Sequence, residues 1–237
     1  MYFTYYLLGI ILIPGIIFAC YAQTKVSSNF NKYKTVEYSQ TKTVHEKARF
    51  FLDAMGMTDI KVTKTSGFLT DHYNPKTKTV ALSDEVYNST SVASLGIACH
   101  EIGHVLQHKQ GYGLLKLRTF LIPIINIGSI LMWPLVILGL LLEALQYTSV
   151  GNILIIIGVV IFGLSVLFSA LTLPIEKDAS KRAYKMLVET GELTQEEGQG
   201  VKAVLDAAAL TYVASLVVSI LSFIRFLLAI FLSRSRD

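Results

Sequence analysis

The chain has 237 residues, of which 52% are hydrophobic and only 16% charged, with a formal net charge of +4. A soluble domain of this size can bury a core without uninterrupted apolar runs of more than about 18 residues, and several such runs occur here. The basic residues form none of the runs expected of a nucleic-acid surface, and the two cysteines, Cys20 and Cys99, have no CxxC spacing. Nucleic acid and a disulfide framework are therefore set aside.

In chain order, the first apolar run extends from Tyr2 to about Ala22. Ile17-Phe18-Ala19-Cys20 bears some likeness to a lipoprotein cleavage box, but no Lys or Arg precedes the run and it exceeds an ordinary signal-peptide core. A retained membrane helix is expected. Residues 23–89 read as a small mixed region. Val44, Ala48, Phe51, Leu52 and Met55 fall at helical spacing, with Gly56 as a stop. Ile60–Thr63, Gly67–Tyr73 and Lys78–Leu82 are β-rich, and Asn74-Pro75-Lys76-Thr77 predicts a turn between the last two. A helix capped by Ser89, Thr90 or Ser91 is predicted from about Val92 to Lys109, ending at Gly111. Further apolar stretches cover about Phe120–Leu145, Val150–Leu173 and Leu210–Leu232. The first of these carries Pro123 and Pro134, which suit a kinked or tilted helix better than a re-entrant segment.

Four spans place residues 23–118 and 174–209 on one side of the membrane. Those segments hold thirteen and five Lys/Arg respectively, against only Arg234 and Arg236 near the ends of the opposite side. The positive-inside bias makes the two larger segments cytoplasmic. The expected fold is thus a mainly α membrane protein, with four transmembrane helices and a small α+β, zincin-like cytoplasmic domain. Its divisions are a first span (1–22), a cytoplasmic region (23–118), second and third spans (119–173), a cytoplasmic helical segment (174–209), and a fourth span with a short tail (210–237).

The predicted helix from Val92 carries His100-Glu101-Ile102-Gly103-His104. Residues i and i+4 share one helix face, so both imidazoles can reach one metal ion. Glu101 lies at the flank, where a carboxylate can take a proton from a zinc-activated water. Two unconnected histidines on a helix are the bland alternative, weakened because only five histidines occur in the chain. A catalytic zinc of this type needs a third protein ligand. His108 lies a further turn along, about 6 Å up the axis, and is expected to face solvent or an interface. Gln110 occupies the place where a metzincin carries its third histidine. Glu176, in Leu173-Pro174-Ile175-Glu176-Lys177-Asp178-Ala179-Ser180, emerges on the same side as the histidines and is the better candidate. Its bland alternative is interfacial solvation beside Lys177, Lys181 and Arg182. Pro174 suits the first turn of a new helix, or a break after the third span. Thr79–Ser83 is the expected edge strand for an extended substrate. His72 or Tyr73 could face a developing oxyanion, although a turn residue bonding its own backbone is the commoner outcome.

His100–His104, the segment Leu173–Ala183, the stretch Val204–Tyr212, the turn Asp71–Pro75 and the strand Ala81–Ser83 together resemble the YugP-type neutral zinc metallopeptidases. The likeness extends over nearly the whole chain. That family is similar in turn to the HtpX and CAAX-prenyl membrane endopeptidases, in which a Glu on a second helix completes the zinc site and an Asp follows four residues later. The resemblance implies Glu176 as third ligand of one catalytic Zn2+. Ser180 stands where the Asp would be, and Asp178 is the alternative supporting carboxylate. The expected activity is peptide-bond hydrolysis on a protein or peptide substrate at the cytoplasmic face of the cell membrane, with Glu101 as general base. A catalytically silent, metal-binding membrane scaffold or regulatory partner is the alternative. A homo-oligomer or a regulating membrane partner is compatible with the sequence, which specifies neither.

Overall fold

The structure is a computed structural model describing residues 8–39, 42–191 and 193–234. In order, its elements are α1 (Ile13–Tyr33), α2 (Val44–Ala54), β1 (Lys61–Thr65), β2 (His72–Asn74), β3 (Thr79–Ser83) and α3 (Asp84–Tyr87), then α4 (Val92–Lys109), α5 (Gly113–Ala144), α6 (Thr148–Glu189) and α7 (Gln195–Arg234). The protein is mainly helical, with a single three-stranded sheet among the described residues. Four helices, Leu8–Tyr33, Gly113–Ala144, Thr148–Glu189 and Gln195–Leu232, are long and apolar enough to cross a membrane. Residues 2–7, where the first span was expected to begin, and the tail 235–237 lie outside the described residues. Contacts divide the chain into two compact units. One comprises Met1–Cys20, Lys116–Leu173 and Tyr212–Asp237, the other Tyr21–Leu115 and Pro174–Thr211.

The first unit is built from apolar helix segments. A Cβ at Gly139 would come within 2.8 Å of the Gly151 carbonyl oxygen, and one at Gly151 within 2.6 Å of the Gly139 carbonyl. Small residues thus let α5 and α6 touch backbone to backbone, as membrane helices commonly do. Phe162 packs edge-on against Phe223, and Trp133 against Phe226. Outside these contacts Ile130, Ile137, Ile153 and Leu167 are exposed, an apolar surface that lipid would cover. Helix α5 runs without interruption through Pro123 and Pro134, so the re-entrant alternative is not what forms.

The second unit holds the soluble-type core. Val44, Ala48, Phe51 and Leu52 line one face of α2 and pack with Leu82, Leu95, Ile102, Leu187 and Leu205. The Glu46 carboxylate accepts the Thr43 N–H at 2.7 Å and its hydroxyl at 2.8 Å, which secures the start of α2. Asn74 Oδ1 accepts the N–H groups of Lys76 and Thr77 and shapes the turn between β2 and β3. In the sheet β3 is central, parallel to β1 and antiparallel to β2. Thr79–Ser83 is therefore not an edge, since both its sides are already paired. Strands β1 and β2 are the edges.

Helix α4 begins and ends as its sequence predicts. Ser91 Oγ accepts the Ser94 N–H at 3.2 Å, and Gly111 leaves the helix at φ +67°. Helices α1 and α6 differ from expectation. α1 continues past Ala22 to Tyr33 because Phe30 packs with Ala93 and Val204, and Asn29 Nδ2 donates to the Ala203 carbonyl at 2.8 Å. α6 passes through Pro174 instead of breaking there, and remains one 42-residue helix. At about 1.5 Å per residue it is roughly twice as long as a hydrocarbon core is thick.

Candidate metal centre

Helix α4 places His100 and His104 one turn apart with ring centroids 4.9 Å from each other. Helix α6 brings Glu176 between them. Its Oε2 lies 3.2 Å from His100 Nε2 and 3.3 Å from His104 Nε2. One ligand atom from each of the three lies within 4.8 Å of the others, and among the described residues this is the only cluster of that kind. The Glu176 side chain is almost wholly enclosed, and Glu101 and His104 are each 8% exposed. His108, by contrast, is exposed and bonds through Nδ1 to the Tyr73 hydroxyl at 2.9 Å, apart from the cluster. His72 is exposed as well, and its Nδ1 reaches the Thr70 carbonyl of its own loop at 2.8 Å. For His72, then, the commoner outcome is the one found.

The meeting of α4 and α6 depends on position 103. A Cβ there would lie 2.4 Å from the Ala179 carbonyl oxygen and 3.1 Å from Ala179 Cα. No side chain fits in that space. Only glycine lets α6 approach closely enough for Glu176 to reach both imidazoles.

Each imidazole also engages α6 or its surroundings through Nδ1. His100 Nδ1 lies 3.0 Å from Ser180 Oγ, so the residue standing where an aspartate was expected makes the contact itself. His104 Nδ1 lies 3.0 Å from Oε1 of Gln107, a side chain with no solvent exposure. Gln107 Nε2 donates to the Ile175 carbonyl and to Asp178 Oδ2, both at 2.8 Å. Asp178 therefore bonds Gln107 and neither imidazole directly, contrary to the role considered for it. It acts through Gln107, and its carboxylate also accepts from Arg182 Nε. Gln107 went unrecognised in the sequence, although it stands three residues after His104 on the same helix face, polar in a stretch that becomes core.

The electrostatics favour a cation. Burial pulls the His104 imidazole toward its neutral form, but the hydrogen bond to Glu176 and the nearby Glu101 charge outweigh it and raise its affinity for a proton above the ordinary histidine value. Two buried carboxylates beside two imidazoles are a poor arrangement without added positive charge. Two imidazole nitrogens and one carboxylate oxygen form a donor set that suits zinc and leaves one position for water. The residues present fit the ion.

The chain belongs to a family described as "Putative neutral zinc metallopeptidase", whose model matches residues 8–231. Over 208 residues it is 42% identical to the "Putative membrane protease YugP" of Bacillus subtilis (strain 168), covering 88% of this chain and 89% of that protein. No solved structure matches it. Its cofactor is accordingly zinc, its class is that of the metallopeptidase hydrolases, and with four helices able to cross a membrane it is a multi-pass membrane protein.

Because α6 cannot hold its place against a Cβ at position 103, Gly103→Ala is expected to push Ala179 back. Overpacking of this kind costs about 1–3 kcal/mol. The variant should unfold at a lower temperature and bind zinc more weakly than wild type. Wild-type zinc affinity in a folded Gly103→Ala protein would show that the close approach is not required.

Proposed function

We propose that the protein is a membrane-embedded zinc endopeptidase whose site faces the cytoplasm. The observation that supports this best is the convergence of His100 Nε2, His104 Nε2 and Glu176 Oε2 beside a buried Glu101. The motif helix α4 lies next to the small sheet in the same unit, which agrees with a zincin-like domain. In this reading the divisions 23–118 and 174–209 are the cytoplasmic parts of the chain.

His100, His104 and Glu176 would hold the ion. Zinc bound there supplies Lewis acidity, lowering the pKa of a water and polarising the scissile carbonyl. Glu101 follows His100 directly in α4, and among the described residues its carboxylate takes no hydrogen bond from the protein. That leaves it available to accept the proton of the attacking water and return it to the leaving amine. Gly103 and the Nδ1 contacts of the two imidazoles hold the ligands in place, so that little reorganisation is needed during reaction.

The mechanism predicts that Glu101→Gln retains zinc and loses catalysis by about 10²–10⁴-fold, the usual contribution of a positioned acid–base group. Wild type and variant would be purified in detergent, checked for zinc, and assayed on casein and a panel of membrane proteins, with chelation of the wild type as a control. Equal activity in both proteins would sink the mechanism. Zinc retained by a wild type that cleaves nothing would favour the silent scaffold.

The proposed orientation is supported by thirteen and five Lys/Arg in the two larger segments. In a Cys20→Ala background, a cysteine at exposed Tyr147 should react with a membrane-impermeant maleimide on intact cells. One at exposed Lys76 should react only after permeabilisation. The reverse pattern would overturn the orientation.

A further inference from the structure

We infer that Gln107 is a positioning residue of the metal centre, fixing which nitrogen of His104 faces the ion. This rests on the metal-site reading above and deepens it at one of the Nδ1 contacts. The Gln107 amide has two hydrogens, and both are used, on the Ile175 carbonyl and on Asp178 Oδ2, each at 2.8 Å. Flipping the amide would set its oxygen against a carbonyl and a carboxylate with no hydrogen between them. Oε1 must therefore face His104 Nδ1, at 3.0 Å. An amide oxygen only accepts, so Nδ1 carries a hydrogen and Nε2 is the nitrogen left to give its lone pair to an ion. That is the atom 3.3 Å from Glu176 Oε2.

The side chain cannot swing away. It has no solvent exposure, and Asp178, which anchors it, is itself held by Arg182 Nε. Arg182 donates through Nη1 to Gln110 Oε1 and lies 5.7 Å from the Tyr112 ring centre, which returns the chain of contacts to the end of α4. His100 is held differently. Its Nδ1 partner is the Ser180 hydroxyl, which rotates and can donate or accept, and so selects no tautomer. Of the two imidazoles, His104 alone is locked by a group of fixed polarity. Gln107 also bonds the Ile175 carbonyl, immediately before the proposed ligand Glu176, so it steadies a ligand on each helix.

The test compares full-length wild type, Gln107→Leu, Gln107→Glu and the double variant Gln107→Glu/Asp178→Asn in detergent. Three properties are read: zinc affinity by competition with a chelating dye, the visible spectrum after cobalt substitution, and thermal unfolding of the metal-stripped protein. Gln107→Leu should weaken zinc binding about 10–100-fold, the usual effect of losing such a partner, and should alter the cobalt bands. Gln107→Glu should do likewise, because its carboxylate opposes Asp178 and the Ile175 carbonyl. In the double variant the amide introduced at position 178 can donate to the carboxylate introduced at position 107. That carboxylate still accepts from His104, so most of the affinity and the wild-type bands should return. A purely structural role would change the unfolding temperature and leave the cobalt bands alone. Wild-type zinc affinity and bands in Gln107→Leu would overturn the inference, as would a double variant no better than Gln107→Glu. Should Gln107→Leu not fold, the comparison of Gln107→Glu with the double variant decides alone. A wild type that binds no zinc, or a His104→Ala variant that binds it as tightly, would instead overturn the metal-site reading.

Discussion

The backbone of α6 at Ala179 occupies the space where a side chain at position 103 would lie, and the centre depends on that approach. A Cβ on Gly103 would sit 2.4 Å from the Ala179 carbonyl oxygen. Since side chains on a helix project in fixed directions, one close backbone contact sets where a full turn of α6 delivers its groups. Glu176, most of a turn before the contact, reaches both imidazoles. Ser180 follows the contact and reaches His100, while Asp178 meets Gln107. The short motif on α4 meets Glu176 only because a second helix can come this near.

The same contact concentrates charge in a place that would otherwise reject it. Glu176 is buried, and a buried carboxylate is costly without partners of opposite charge. Two imidazoles offset part of that cost, and the raised proton affinity of His104 expresses the demand for positive charge that remains. A divalent ion meets the demand without leaving either ring dependent on a proton. The local electrostatics favour a cation, and membership of a zinc metallopeptidase family names which one.

Much of the fold was legible because local rules acted without competition. Ser91 and Gly111 mark the two ends of α4, and Asn74 shapes its turn. Where tertiary contacts intervened, local rules failed. Pro174 reads as a stop, yet α6 continues through it, as long helices with packed neighbours can. Ala22 closes the first apolar run, but the helix goes on because Asn29 and Phe30 find partners in α4 and α7, far away in sequence. The central position of β3 was hidden for a similar reason, since strand order depends on a parallel pairing with β1 that no local pattern announces. At the centre itself, His100, Glu101 and His104 stand out by their spacing, and Glu176 by which side of the membrane it leaves. Gln107 carries no motif. Its importance lies in a bond to His104 on its own helix and in two more, to Ile175 and Asp178, that exist only once α6 is in place.

The central claim is that one ion is held by two imidazoles and a carboxylate from two helices. X-ray absorption at the zinc edge of the purified, zinc-loaded protein measures that coordination directly. The account predicts a first shell of nitrogen and oxygen alone at about 2.0–2.2 Å, with outer-shell scattering from two imidazole rings. A sulfur neighbour at about 2.3 Å, or scattering from only one imidazole, would contradict it.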